Sequence, residues 1–192
     1  MIAIEALLSR RSIAAQYLGE PGPSQAEIDT AIDAALRAPD HGRVQPWRFR
    51  LIRGSARAKF ADMLIEESLR RDSSVAPAQL EKLRRRAEAP LIVVASAALK
   101  VDPKVPEVEQ LLAAGAGIMN LLNAFHMLGF GAVWLTGASV YDEAVSSALG
   151  LGKLEKLLGL VYVGTPAVNT PQPLSRPKRA DFVNEWVGPT RS

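Results

Sequence analysis

From Gln110 to Tyr141 the chain carries no Asp, Glu, Lys or Arg, and any fold must find a dry place for that run. By length alone it could cross a bilayer as a helix. Asn120, Asn123 and His126 lie inside it, however, and each would need a partner in lipid. Gly129 and Gly131 interrupt it at a helix-stop position, and Glu107, Glu109, Asp142 and Glu143 flank it where basic anchors would be expected. The run therefore reads as a buried helix, opened by Pro106 in the favoured first position, followed by a buried strand over Gly131–Leu135. No membrane partner is expected.

Other elements group around that centre. Ile2 to Leu8 reads as a helix with Ile4, Leu7 and Leu8 on one side. Ser24 and Glu27 form an S-x-x-E capping box ahead of Ile28, Ala31, Ile32, Ala35 and Leu36 at helical spacing, stopping near Pro39. Trp47, Phe49 and Leu51 alternate with Arg48 and Arg50 as a half-buried strand ending at Gly54. Ala56–Arg71 and Ala78–Glu88 are amphipathic helices, the second with a basic outer face, and Leu91–Ala97 after Pro90 is a buried strand. A short helix near Asp142–Leu149 precedes a last strand over Leu157–Val163. Beyond Gly164, prolines 166, 171, 173 and 177 forbid helix, and Phe182, Val183 and Trp186 mark a tail that docks on something. With 192 residues, no repeat and no dividing linker, a single domain over 1–192 is expected, with about 165–192 as an extended arm.

Many chemistries are excluded. The chain has no cysteine, which removes disulfides, thiolate metal sites and any thiol nucleophile. Its two histidines, His41 and His126, are far apart, and no metal site is expected. No P-loop, no G-x-G-x-x-G and no G-x-S-x-G occurs. A net charge of +3 permits an anionic ligand without demanding a polyanion, and nucleic acid is not an expected partner. The opening residues place Glu5 within the apolar stretch and Arg10-Arg11 after it, the reverse of a secretory signal, so a cytoplasmic protein is expected.

Two polar segments remain. Ser9-Arg10-Arg11-Ser12 suits phosphate oxygens, since guanidinium pairs bind them bidentately beside a hydroxyl; it equally suits a solvated helix C-terminus. Arg37-Ala-Pro-Asp-His41-Gly-Arg43-Val-Gln45-Pro-Trp47 joins helix to strand with unusual polar content. Taken in order with the small-residue helix Ala113-Ala-Gly115-Ala-Gly117, G-F-G-A-V-W-L-T-G-A and the closing Gly159–Pro166 pattern, these segments resemble the FMN-dependent nitroreductase family, nearest its small bacterial NAD(P)H nitroreductases.

The resemblance implies an α+β fold, a mixed central sheet flanked by helices, and a homodimer with C-terminal arm exchange. It implies non-covalent FMN at the subunit interface, NADH or NADPH as reductant, and a nitroaromatic, quinone or similar small acceptor reduced by two electrons. Arg10, Arg11 and Ser12 match the opening flavin-contact motif, and Trp134, Leu135 and Thr136 match the strand end that lies against the isoalloxazine. Arg37 and His41 match flavin contacts from the companion subunit, and Arg176, Lys178 and Arg179 of the arm could approach the phosphate. Ala124, Phe125, His126, Met127, Leu128 and Gly129 match a segment associated with the nicotinamide nucleotide. No side chain is expected to act as catalytic acid, base or nucleophile; the cofactor carries the chemistry. Many members carry a basic residue where this chain has Ala14, and Arg37 is the first candidate to replace it.

Blander readings stand beside these. His126 suits a satisfied, partly buried residue, Trp47 core or interface, and Arg84-Arg85-Arg86 a solvated helix face. As a whole the chain could be a flavin-binding module without reductase turnover, or a basic interaction protein using its arginine-rich helix.

Overall fold

Strand β5 (Glu155–Pro166) has apolar residues on both faces and lies at the centre of the sheet, where both faces are covered. In the computed structural model, which describes residues 3–171 and 175–189, β5 pairs with three others. These are β1 (Leu18–Gly19), β3 (Leu91–Ala98) and β4 (Gly131–Leu135), and β2 (Trp47–Arg53) closes the far edge against β3. All these pairings are antiparallel; the expected mixed character rests on a parallel bridge between Ser12 and Ala132. That bridge later sets the site.

Helices cover both faces. On one, α2 (Gln25–Ala35) and α5 (Glu107–Met127) pack Ile28, Ala31, Ile118, Leu121 and Phe125 against Val93, Ala95, Val161 and Val163. On the other, α3 (Ala56–Arg71), α4 (Pro77–Arg86) and α6 (Glu143–Ala148) contribute Phe60, Leu64, Leu83 and Val145 against Ile92, Val94, Leu160 and Tyr162. Each such large side chain contributes about 1.5–3 kcal/mol relative to remaining exposed. The Ser24–Glu27 capping box forms as expected, Glu27 Oε2 accepting from the Ser24 amide at 2.7 Å.

Most departures from the sequence reading are apolar surface left uncovered. Helix α1 (Ala3–Ser9) buries Ala6, while Ile4, Leu7 and Leu8 face outward. Helix α5 is buried on one side only. Its other side exposes Val108, Leu112 (68%) and Met119 around an open Gly115, and Pro106 caps the helix rather than starting it. The β2 alternation breaks at Arg50, which is half-buried in a pair with Glu155, leaving Leu51 exposed. Phe182, Val183 and Trp186 (84%) are exposed on the described part of the tail. The readings at Ile2 and Pro173 lie outside the described residues. Among the described residues, no helix is long and apolar enough to cross a membrane.

Candidate functional site

Helix α1 delivers the arginine pair to the carboxy-terminal end of α5. Ser9 Oγ hydrogen-bonds with His126 Nε2 at 3.1 Å, and the Arg10 amide still donates to Ala6 O. The chain then extends beside β4: Ser12 bridges Ala132, the Ile13 amide donates to Ala132 O at 3.0 Å, and Ile13 is buried as the anchor. Arg10, Arg11 and Ser12 thereby line a cavity of about 370 Å³, facing Thr170 and Arg176. Arg11 donates to Pro171 O at 2.6 Å, and Arg176 donates to the Arg10 carbonyl. Burial, then the Arg176 charge, lowers the Arg10 pKa from its ordinary value. Among the described residues, no carboxylate lines this cavity. Converging guanidiniums without a counter-charge fit an anion such as a phosphate.

The end of β4 forms the second part. Trp134 Nε1 donates to Leu158 O at 3.1 Å, which turns its ring over Gly159. A Cβ there would lie 2.1 Å from the indole nitrogen, on a backbone with φ +153°, so the position requires glycine. Beyond Trp134 the chain leaves the sheet through Leu135, Thr136 and Gly137 (φ +143°). This turn walls a cavity of about 250 Å³ whose far side is α3 and α4, including Lys82 and Arg86. Tyr162 lines it too, and burial pushes its hydroxyl up to about 12, opposed by the Arg86 charge. It is therefore a neutral donor near pH 7.

The 37–47 segment stands at the other end of α5. His41 Nδ1 pairs with Glu109, which raises the imidazole pKa. Asp40 Oδ2 accepts from the Gln45 amide at 2.9 Å, and Arg43 and Gln45 both hold φ near +53°. Two non-glycine residues in that region store strain, a common mark of functional loops. Arg37 is exposed, whereas Trp47 is core, packed on Ala38 and Ala113. Gln110, buried, holds the adjoining loop through Lys100 N, Lys100 O and Val105 O.

One chain therefore gathers only part of the expected set. Arg10, Arg11 and Ser12 join Arg176 at one cavity beside the start of β4, while Leu135 and Thr136 at the strand end line another. Arg37 and His41 do not join them: Glu109 and His126 are separated by about 25 Å at 1.5 Å per helical residue. In the Ala124–Gly129 segment the Phe125 ring is wholly buried, edge-on to Phe130, and has no face for a nucleotide. His126 is half-buried, its pKa lowered by burial and then by Arg10, so it stays neutral near pH 7. Arg84 and Arg85 form the expected solvated face, pairing with Asp62 and Glu81, but Arg86 turns to the cavity. Lys82 and Tyr162 at that cavity were not foreseen. The i,i+4 spacing of Lys82 and Arg86 was the available signal.

Comparison with known proteins gives the family and the fold. The model of the Nitroreductase family matches residues 7–165. YdjA of Escherichia coli (strain K12), named as a candidate NAD(P)H nitroreductase, is 34% identical over 184 residues, spanning 95% of this chain and 98% of that protein. A nitroreductase-like family protein from Bacillus cereus superimposes with a TM-score of 0.81 at 19% identity, covering 98% and 97% of the two chains. A candidate nitroreductase from Desulfovibrio desulfuricans, solved in complex with FMN, gives 0.75 at 25% identity, covering 98% and 99%.

Proposed function

The chain belongs to the nitroreductase family, and from that premise we propose that it is a homodimeric, FMN-dependent NAD(P)H oxidoreductase acting on a small acceptor. The observation that carries this reading is the cavity of Arg10, Arg11, Ser12 and Arg176, lined by no carboxylate among the described residues, beside the start of β4. When bound, FMN supplies the two-electron chemistry that links oxidation of NADH or NADPH to reduction of a nitroaromatic, quinone or enone-like compound.

The chain's own residues bind and orient. Arg10, Arg11 and Arg176 hold the phosphate dianion by charge-assisted hydrogen bonds, and Ser12 adds a hydroxyl. Leu135 and Thr136 offer backbone against the ring system. Gly159 and Trp134 fix that strand end. Neutral His126 ties α1 to α5 and keeps the arginine pair in place. Arg37 and His41 reach the same flavin from the partner subunit, because their distance along α5 forbids it within one chain. Arg37 then brings the cation that Ala14 does not.

The dimer rests on the uncovered face of α5. Val108, Leu112, Gly115 and Met119 share one side of the helix, and an apolar stripe of that length needs a cover. Packing two α5 helices antiparallel about a twofold axis covers it and sets each 37–47 loop beside the partner's arginine pair. The arm with Phe182, Val183 and Trp186 then crosses to the partner. Cytoplasmic placement accords with this reading.

The visible spectrum of the purified protein, followed by NADH and NADPH titration of the FMN-loaded form, tests the proposal. Bleaching of the flavin band by either nucleotide and reoxidation by an acceptor are expected. Protein that holds FMN but is reduced by neither nucleotide would identify a binding module, the alternative that Ala14 keeps open. Colourless protein that takes up no FMN would overturn the whole reading.

A further inference from the structure

The cavity between α3, α4 and the turn after β4 has no part in holding the phosphate. It measures about 250 Å³, below the roughly 300–1,000 Å³ of pockets for drug-sized ligands, and so suits a single substituted ring. Its floor is apolar, from Leu64, Leu83, Leu160 and Val140, and no Asp or Glu lines it. Three cations do. Arg71 is neutralised by Asp142 at 2.8 Å, whereas Lys82 and Arg86 form no ion pair among the described residues. The Tyr162 side chain, 2% exposed, also lines the cavity, and its hydroxyl has no hydrogen-bond partner among the described residues. A hydroxyl donor at the cavity wall, with no protein partner among the described residues, beside two cations in no ion pair over an apolar floor is a receptor for an anionic oxygen on a flat ring.

We infer that this cavity is the acceptor subsite, and that it selects a monocyclic aromatic or enone acceptor bearing a carboxylate. Lys82 and Arg86 take the carboxylate, Tyr162 donates a further hydrogen bond, and the ring rests on the leucines. The inference rests on the proposed oxidoreductase function, because Leu135 and Thr136 wall both this cavity and the flavin position. The two electrons come from reduced FMN, itself reduced by NADH or NADPH. For a nitro acceptor, the first two-electron step, with two protons, releases water and leaves a nitroso group.

The test compares 4-nitrobenzoate with nitrobenzene, which differs only by the carboxylate, on the FMN-loaded enzyme. Wild-type protein is expected to favour 4-nitrobenzoate in kcat/KM, and K82Q/R86Q to lower that ratio about tenfold. Calorimetric titration of benzoate into the oxidised holoprotein gives a readout without turnover. Its Kd is expected to weaken about tenfold in K82Q/R86Q and severalfold in Tyr162→Phe. Lys82→Gln alone, at an exposed position, serves if the double variant does not fold. Equal use of the two nitro compounds by wild-type protein, or benzoate binding that ignores these substitutions, overturns the inference and leaves the oxidoreductase reading intact. Holoprotein that neither NADH nor NADPH reduces, yet binds benzoate through Lys82, overturns that reading and keeps the anion site.

Discussion

The two ends of α5 handle charge in opposite ways. Around its amino-terminal end, three cations meet carboxylates, His41 with Glu109, Lys156 with Glu107 and Arg50 with Glu155, while Arg37 and Arg43 of the adjoining loop form no ion pair among the described residues. Around its carboxy-terminal end, Arg10, Arg11 and Arg176 line a cavity with no carboxylate among the described residues. The first end supplies carboxylates to three of its cations and holds two non-glycine residues, Arg43 and Gln45, at positive φ. The second is incomplete until an anion arrives. Under the proposed function each end is half of a site, and a twofold axis across α5 joins the loop half to the arginine half.

That contrast can be broken at several points. The largest expected effect is on the arginine half. Replacing Arg10 and Arg11 together by alanine removes two charge-assisted contacts and should weaken FMN affinity by at least about 100-fold, read by fluorescence titration; full flavin occupancy in that variant would refute the phosphate assignment. Met119→Asp puts a charge into the stripe between the ends. It should turn the dimer into a monomer by sedimentation and discharge the flavin with it. A variant that stays dimeric would move the interface off α5.

Smaller effects sharpen the comparison. Gly159→Ala drives a methyl into the Trp134 indole and should cost about 1–3 kcal/mol in thermal or urea unfolding, with a shifted tryptophan emission. At the amino-terminal end, hydrogen bonding from Arg50, supported by Ser96, holds the Glu155 carboxyl down to about 2. A depressed carboxylate stabilises the fold fully above its ordinary value of 4.5 and loses that contribution as pH falls toward about 2. Glu155→Gln should therefore flatten the acid limb of the melting curve. Least affected is the exposed His41–Glu109 pair. Its raised imidazole pKa means the attraction is present at low pH and fades as pH rises through that raised value. Glu109→Gln should bring the His41 titration, followed by NMR, back toward its ordinary midpoint with little change in melting temperature.

What could be read in advance follows the range of the interactions. Periodicity and capping place α2, α3, β3 and β4 because those signals lie within a few residues of one another. The arginine pair and the β4 turn are legible for a different reason: they match a family pattern residue by residue. Pairs such as Arg50–Glu155, 105 positions apart, leave no local trace, and so Arg50 reads as a plain outward residue of an alternating strand. The half-burial of α5 is hidden in a similar way, since an all-apolar helix looks the same whether its second face meets its own chain or another. Lys82, Arg86 and Tyr162 come together only when α4 folds over β5. Composition offers no hint of that meeting, although the four-residue spacing of the two cations does point both toward one side.

Subunit complementation tests the shared site most directly. One variant lacks Arg10 and Arg11, the other lacks Arg37 and His41, and each alone should bind FMN poorly. Unfolded together and refolded, they form mixed dimers in which one site draws intact residues from both chains. Recovery of tight binding, at one FMN per mixed dimer, is the predicted result. No recovery on mixing, with both parent variants folded and dimeric, would contradict a site built from the two ends of α5 across the twofold axis.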